Sequence, residues 1–332
     1  MNKLTCIITF KNEGKEVENT VKSIRETTDN DVDIILVDDC SDDETNYNDV
    51  AIKYNCSYVK TPQRFGVAGS RDFGVVLCRT PYFVLLDGHM RFYQKNWNIK
   101  LVDALEKNPN SIITSTSVCM WLNDDGTIDN EDGMNDRIPD DEWGTSWPLT
   151  SHACYINLVE DNHEFTSAWA TKSKDDDPNL IEVPSVMGAV YASSVEHWNY
   201  IKGLYMLRSY GNDEAFMAMK TWLLGGKCLL LRKFGVGHLY RNKMPYNGYD
   251  FVDYTFNRVL LAELFCDEET QDLYNRTYEH AKNILGEQGY NKLLKIFEDN
   301  KNEINEYKQY INEHKKMSLT EFINNVNSYA TP

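Results

Sequence analysis

No C-x-x-C pair occurs among the eight cysteines, which stand at positions 6, 40, 56, 78, 119, 154, 228 and 266. That spacing excludes a zinc ribbon. Several lie in apolar runs, as in LTCIITF and GVVLCRT, and read as buried thiols of a reducing compartment. Long hydrophobic runs are also missing. The opening MNKLTCIITFKNEGK returns to charge within one strand's length, so it predicts a first strand rather than a signal peptide or an anchor. Basic residues are scarce beside acidic ones: 34 Lys and Arg against 51 Asp and Glu, a formal net charge of −17. This opposes broad binding to nucleic acid or anionic membrane and leaves only a local basic cleft for either. No internal repeat or low-complexity linker is visible. The chain is expected to be soluble and cytoplasmic, with no membrane span; nothing in it sets an oligomeric state.

Two phosphate-binding motifs are absent as well. A dinucleotide fold needs G-x-G-x-x-G after its first strand so that backbone N–H groups can approach a pyrophosphate. Here that strand ends in FKNEGKE, with one glycine. Walker A is absent too. Phosphate, if bound, is left to a divalent metal.

What is present is alternation. LTCIITF, VDIILVDD, CSYVKTP and PYFVLLDGH read as strands. EVENTVKSIRETT, ETNYNDVAIKY and GVAGSRDFGVVLC read as the helices between them. Apolar strands alternating with helices predict an α/β fold with a doubly wound, mostly parallel sheet. Residues 121–182 are rich in Asp, Asn, Thr and Trp and predict long loops and irregular strands. SVMGAVYASS resumes as a strand, NDEAFMAMKTWLLGG as a helix stopped by Gly225–Gly226, and KCLLLRKFGVGHLYR as a strand running into a loop. Two units follow: an α/β domain over 1–250, and a charged C-terminal helical extension over 251–332 packed on it.

Ligands of such sheets gather at the carboxyl ends of the strands. Three strand ends carry unusual polar residues: Asn12 and Glu13, Asp38 and Asp39, Asp87 and His89. In extended chain, residues i and i+2 point to one side, so Asp87 and His89 can share one ion. A carboxylate with an imidazole suits Mn2+ better than Ca2+. His238, in FGVGHLYR, is the candidate third ligand; alone, such a histidine is more often an ordinary solvated or hydrogen-bonded one.

In order, IITFKNEGKEVENTVKSI, IILVDDCSDDE, RFGVAGSRDFGV and YFVLLDGHMRF resemble the opening half of a GT-A nucleotide-sugar glycosyltransferase. The V-D-D-x-S and N-E elements are widespread in glycosyltransferase family 2. D-x-H is similar to the metal motif of the polypeptide N-acetylgalactosaminyltransferases, family 27. YGNDEAFMAMKTWLLGGKCLLLRKFGVGHLYR resembles that family's W-G-G-E-N-x-E, W-x-x-G-G and G-H-x-x-R block without a gap. RNKMPY resembles its mobile R-x-x-x-P-Y segment, and NRVLLAELF its N-x-x-R-x-A-E-x-W helix. The resemblance covers roughly residues 3–270; order and spacing together carry it.

The resemblance implies roles. Asp87, His89 and His238 would hold Mn2+ (or Mg2+) against a diphosphate. Phe10, Asn12 and Glu13, with Thr9 beside them, would meet nucleobase and ribose. Asp38 or Asp39 would accept from the base, unless the pair only solvates a strand end. Of Arg64 and Arg71, one would reach phosphate or ribose and the other pair with a carboxylate such as Asp87. Gly66, Gly88, Gly188 and Ala189 belong to the same donor-side positions, and Arg241 and Tyr246 to a closing flap. Asp213 and Glu214 are implied as the catalytic acids, Glu214 as general base in a family-2 reading; as acids opening a helix they also suit its dipole. The sequence departs from family 27 at Tyr210 (for Trp), Asn212 (for Gly), Asp213 (for Glu), Glu214 (for Asn) and Phe216 (for Glu). Neither an anchor nor lectin repeats after 271 are present, which suggests a bacterial or viral relative.

The expected activity is metal-dependent transfer from a UDP-sugar (GalNAc, GlcNAc, Glc or Gal) to a hydroxyl on a protein, glycan or other polymer, with retention. The rivals are inversion with Glu214 as base, a viral transferase acting on modified DNA bases, and a non-catalytic nucleotide-sugar-binding protein.

Overall fold

The computed structural model describes residues 2–29, 31–129, 131, 153–158, 165–170, 179–186, 188–246 and 248–331. The chain opens with β1 (Leu4–Phe10), α1 (Lys15–Thr27), β2 (Val32–Asp38), α2 (Tyr47–Lys53), β3 (Ser57–Lys60), α3 (Gly66–Leu77) and β4 (Tyr82–Asp87), the alternation expected from the apolar pattern. Its physical basis is burial on both faces of the sheet. Cys6 and Ile8 of β1 join one core with Val17, Val21 and Ile24 of α1, while Ile7 joins a second core with Ala68 and Val75 of α3.

Next come β5 (Met90–Phe92), α4 (Trp97–Lys107), β6 (Ser111–Leu122), β7 (Ile128–Asp129), β8 (Ala153–Asn157), β9 (Thr166–Ala170), β10 (Leu180–Glu182), β11 (Val190–Ser194), α5 (Val195–Tyr200), α6 (Asp213–Leu223) and β12 (Lys227–Tyr240). The main sheet runs β10-β12-β6-β11-β4-β1-β2-β3. Its β1, β2, β3 and β4 are mutually parallel, and β12 is parallel to β6. Strand β11 inserts antiparallel to both β4 and β6.

Two expectations are corrected. Strand structure in SVMGAVYASS begins only at Val190, and Met187 lies outside the described residues. The stretch FGVGHLY, expected to run into a loop, stays in β12 as far as Tyr240. It resumes pairing with β6 after a register shift between Leu231 and Gly235. Most of 121–182 lies outside the described residues; within it β8 and β9 form a two-stranded antiparallel sheet.

The chain ends in α7 (Phe251–Phe265), α8 (Gln271–Asp299), α9 (Lys301–His314) and α10 (Leu319–Phe322). These helices share one core with the sheet: Phe256, Leu260, Leu293 and Tyr307 cluster with Phe216 and Trp222 of α6. The buried Lys220 Nζ on α6 donates to the Gly203 carbonyl and to Tyr307 Oη of α9 (3.0 Å). Among the described residues no helix is long and apolar enough to cross a membrane.

Candidate active site

Every residue assigned a site role from the sequence except Asn12 and Asp38 lines one cavity of about 450 Å³ at the carboxyl ends of β1 and β4. Local structure explains the assembly. Thr9 of β1 is in register with Asp87 of β4. At Gly88 a Cβ would sit 2.8 Å from Phe10 Cβ and 3.0 Å from Glu13 Cγ, so only glycine lets the two strand ends close up. The buried Thr20 hydroxyl accepts from the Met90 N–H (2.8 Å) and donates to the Gly88 carbonyl (3.0 Å), fixing the turn that carries His89. Strand β5 then pairs antiparallel with β12, His238 opposite Met90. That pairing brings His238 to His89 across 149 residues, with Nε2 atoms 3.1 Å apart.

Ligand atoms of Asp87, His89 and His238 all lie within 4.8 Å of one another. His89 Nδ1 faces Glu13 Oε1 at 3.2 Å, and Arg241 also binds the Glu13 carboxylate. The Arg241 guanidinium lies 3.1 Å from the same Nδ1. In the tautomer that keeps the Nδ1 proton for Glu13, the lone pair of Nε2 is turned toward His238 and Asp87, the arrangement by which a carboxylate orients a metal-binding histidine. Burial opposes charge on Glu13, but the hydrogen bond and charge of His89, with Arg241, outweigh it and lower its pKa. Burial lowers the pKa of His238, with His89 and Arg241 adding to it, so the ring favours its neutral, metal-binding form.

A second network joins the metal candidates to the acids. Buried Arg71 binds Asp87 Oδ1 at 2.7 Å through one nitrogen and Asp213 through the other. Burial penalises charged Asp87, yet Arg71, then His238 and His89, hold its carboxyl well below the usual carboxylate range. The Tyr191 ring lies under the Arg71 guanidinium (4.8 Å), with its hydroxyl 3.4 Å from Asp213. Glu214 follows on the first turn of α6, its carboxylate beside Gly188. Burial, then Asp213, push its pKa up.

The strand-end acids divide. Asp38 accepts from the Ser41 N–H (2.7 Å) and from Tyr58 Oη (2.8 Å), away from the cavity. Asp39 faces the cavity and caps α3, accepting from the N–H groups of Phe65 (2.6 Å) and Gly66 (3.1 Å). The Asn12 side chain clamps Asp42 instead, donating to its carboxylate (2.7 Å) and accepting from its N–H (2.8 Å). Arg64 lies over the Tyr246 ring at 5.1 Å. Sequence reasoning missed Tyr191 and Tyr254 in the cavity wall. Neither stands in a motif, and Tyr254 comes from α7, beyond the expected boundary at 250.

The fold is of the GT-A class. Residues 5–154 match the family model Glycosyl transferase family 2. The chain is similar to polypeptide N-acetylgalactosaminyltransferase 4 of Caenorhabditis elegans, 27% identical over 277 residues, 81% of this chain and 44% of the relative. It is also similar to polypeptide N-acetylgalactosaminyltransferase 3 of Homo sapiens, 25% identical over 277 residues, 80% of this chain and 41% of that one. Among solved structures it resembles GalNAc-T7 with UDP, GalNAc and Mn2+, with a TM-score of 0.63 at 19% identity over 84% of this chain and 54% of that one. The chain spans about half the length of the curated relatives it matches.

Proposed function

We propose that this chain is a metal-dependent glycosyltransferase moving the sugar of a UDP-sugar to a hydroxyl acceptor. The observation that carries the reading is the convergence of Asp87, His89 and His238 in the cavity that also holds Asp213 and Glu214. The donor set fits the group: one carboxylate and two imidazoles suit Mn2+, and the two Nε2 atoms face each other at 3.1 Å. When bound, the ion supplies Lewis-acid neutralisation of the diphosphate.

The chain's own residues do the rest. Asp39, Phe10 and Thr9 form the wall for the nucleoside, and Arg64 and Arg241 offer guanidinium groups to phosphate. Residues 241–246 bring Arg241, Met244 and Tyr246 to the cavity. Their closure over the donor excludes water, a competing acceptor. The GalNAc-T7 neighbour, solved with UDP, GalNAc and Mn2+, supports UDP-GalNAc as the first donor to test; GlcNAc, Glc and Gal follow. The similarity to polypeptide transferases supports a protein hydroxyl as acceptor, with glycans and other polymers next.

We infer retention from the D-x-H and G-H-x-x-R resemblance. One observation favours inversion instead: Asp213 is taken up by Arg71, which leaves the neighbouring Glu214 carboxyl as the candidate general base. The test is UDP-sugar hydrolysis and transfer with and without Mn2+. Turnover is expected to need the ion and to vanish in His89→Ala; full turnover in EDTA refutes the metal reading. The product anomer, read by NMR, decides between retention and inversion.

A further inference from the structure

The segment before α6 bends back on itself through left-handed residues: Met206 (φ 74), Ser209 (φ 49), Gly211 (φ 97) and Asn212 (φ 66). Side chains other than glycine disfavour that region, so packing must hold the segment in place. Much of that hold comes from α7. Buried Asn257 donates through Nδ2 to the carbonyls of Arg208 (2.8 Å), Gly211 (2.9 Å) and Tyr210 (3.2 Å) and accepts at Oδ1 from the Arg208 N–H (2.8 Å). The arrangement requires an amide. A carboxylate there would set an oxygen against three carbonyl oxygens. Arg208 is held again by Asp253 of α7 at 2.6 Å. Gly211 leaves room for the Tyr254 ring, which a Cβ would meet at 2.4 Å. On its other side the segment abuts α3: the Ser209 carbonyl accepts from the Val67 N–H at 2.7 Å.

What this segment delivers is Asp213, the first residue of α6, which binds Arg71, which in turn binds Asp87. We propose that Asn257 is a positioning residue: from the C-terminal helices it fixes residues 208–212, and with them Asp213 and Glu214, in the geometry that turnover requires. The helical extension is thus a working part of the site and more than a prop for the sheet. As a claim about turnover this rests on the transferase reading above; as a claim about the segment it does not.

The test uses the full chain with Asn257→Asp, read by hydrogen–deuterium exchange and by UDP-sugar kinetics with Mn2+. Exchange is expected to rise at least tenfold in peptides covering 204–216 and to stay unchanged in β1, β2 and α1. The kcat is expected to fall at least tenfold, with the donor KM within threefold of wild type, a split that general loosening of the fold would not give. Unchanged exchange in 204–216, or an unchanged kcat, overturns the proposal. Raised exchange in Asn257→Asp, with a wild-type chain that turns over no UDP-sugar, refutes the transferase reading and leaves the positioning of 208–212 standing. Should Asn257→Asp not fold, Asp253→Asn, at the partly exposed edge of the clamp, is expected to give the same signature at about threefold; wild-type exchange and kcat in that variant overturn the proposal.

Discussion

Arg71→Met removes the guanidinium between Asp87 and Asp213 and leaves an unbranched apolar side chain in its place. The side chains concerned are 4% (Arg71), 8% (Asp213) and 25% (Asp87) exposed, so solvent screens these pairs weakly. At an effective dielectric constant of about 20, each pair contributes about 4 kcal/mol of gross attraction. Desolvation of the guanidinium offsets part of this. Stranding buried carboxylates without their cation costs about 3–5 kcal/mol. At about 2 °C per kcal/mol for a chain of this size, the melting temperature should fall by about 6–10 °C. Asp213→Asn in the Arg71→Met background removes one stranded charge and should recover roughly half of the loss, which a double-mutant cycle reads as a coupling above about 1 kcal/mol. The assay is thermal melting with urea denaturation in EDTA, so that no ion compensates the carboxylates. A single variant melting within about 2 °C of wild type, or a cycle without coupling, would refute the picture of Arg71 as the charge that joins the two acids.

Other predictions address acid sensitivity and backbone fit. His197 is buried, neither ring nitrogen has a hydrogen-bond partner among the described residues, and burial, with Lys220 adding, lowers its pKa from 6.5 to about 4. The unfolded chain therefore binds a proton that the folded chain refuses, and stability is lost as pH falls from about 6.5 to 4, by roughly 3 kcal/mol in all. His197→Leu should remove that part of the acid sensitivity between pH 7.5 and 5 in denaturant titrations; an unchanged pH slope counts against it. At Gly66, φ is +77 and a Cβ would lie 2.5 Å from the Ser209 carbonyl oxygen. Gly66→Ala should cost about 2–4 kcal/mol, from left-handed strain and the displaced segment, and weaken UDP binding in a calorimetric titration. Wild-type stability and affinity in this variant would show that the α3 contact is slack.

Local pattern by itself determined a good part of this protein. Continuous apolar runs marked β1, β2 and β4 because both faces of the sheet are covered, and helical spacing at Val17, Val21 and Ile24 marked α1. The D-G-H end of β4 and the helical character after residue 250 were legible for the same reason: each is a property of neighbouring residues. What the tertiary structure alone decided is partnership. Pairing of β5 with β12 sets His238 against His89 across 149 residues, and no local signal encodes which strands pair or in what register. Asp38 and Asp39 are adjacent acids at one strand end, yet successive side chains leave a strand on opposite sides, so one turns to Ser41 and Tyr58 and the other to the cavity. Arg64 and Arg71 both flank the start of α3, and only packing decides that Arg71 is the buried one, between Asp87 and Asp213. The contacts of α7 with residues 208–212 and with the cavity wall, through Asn257 and Tyr254, are likewise absent from any local pattern. Composition reports how a segment meets solvent; which segment it holds in place depends on contacts made only when the chain is folded.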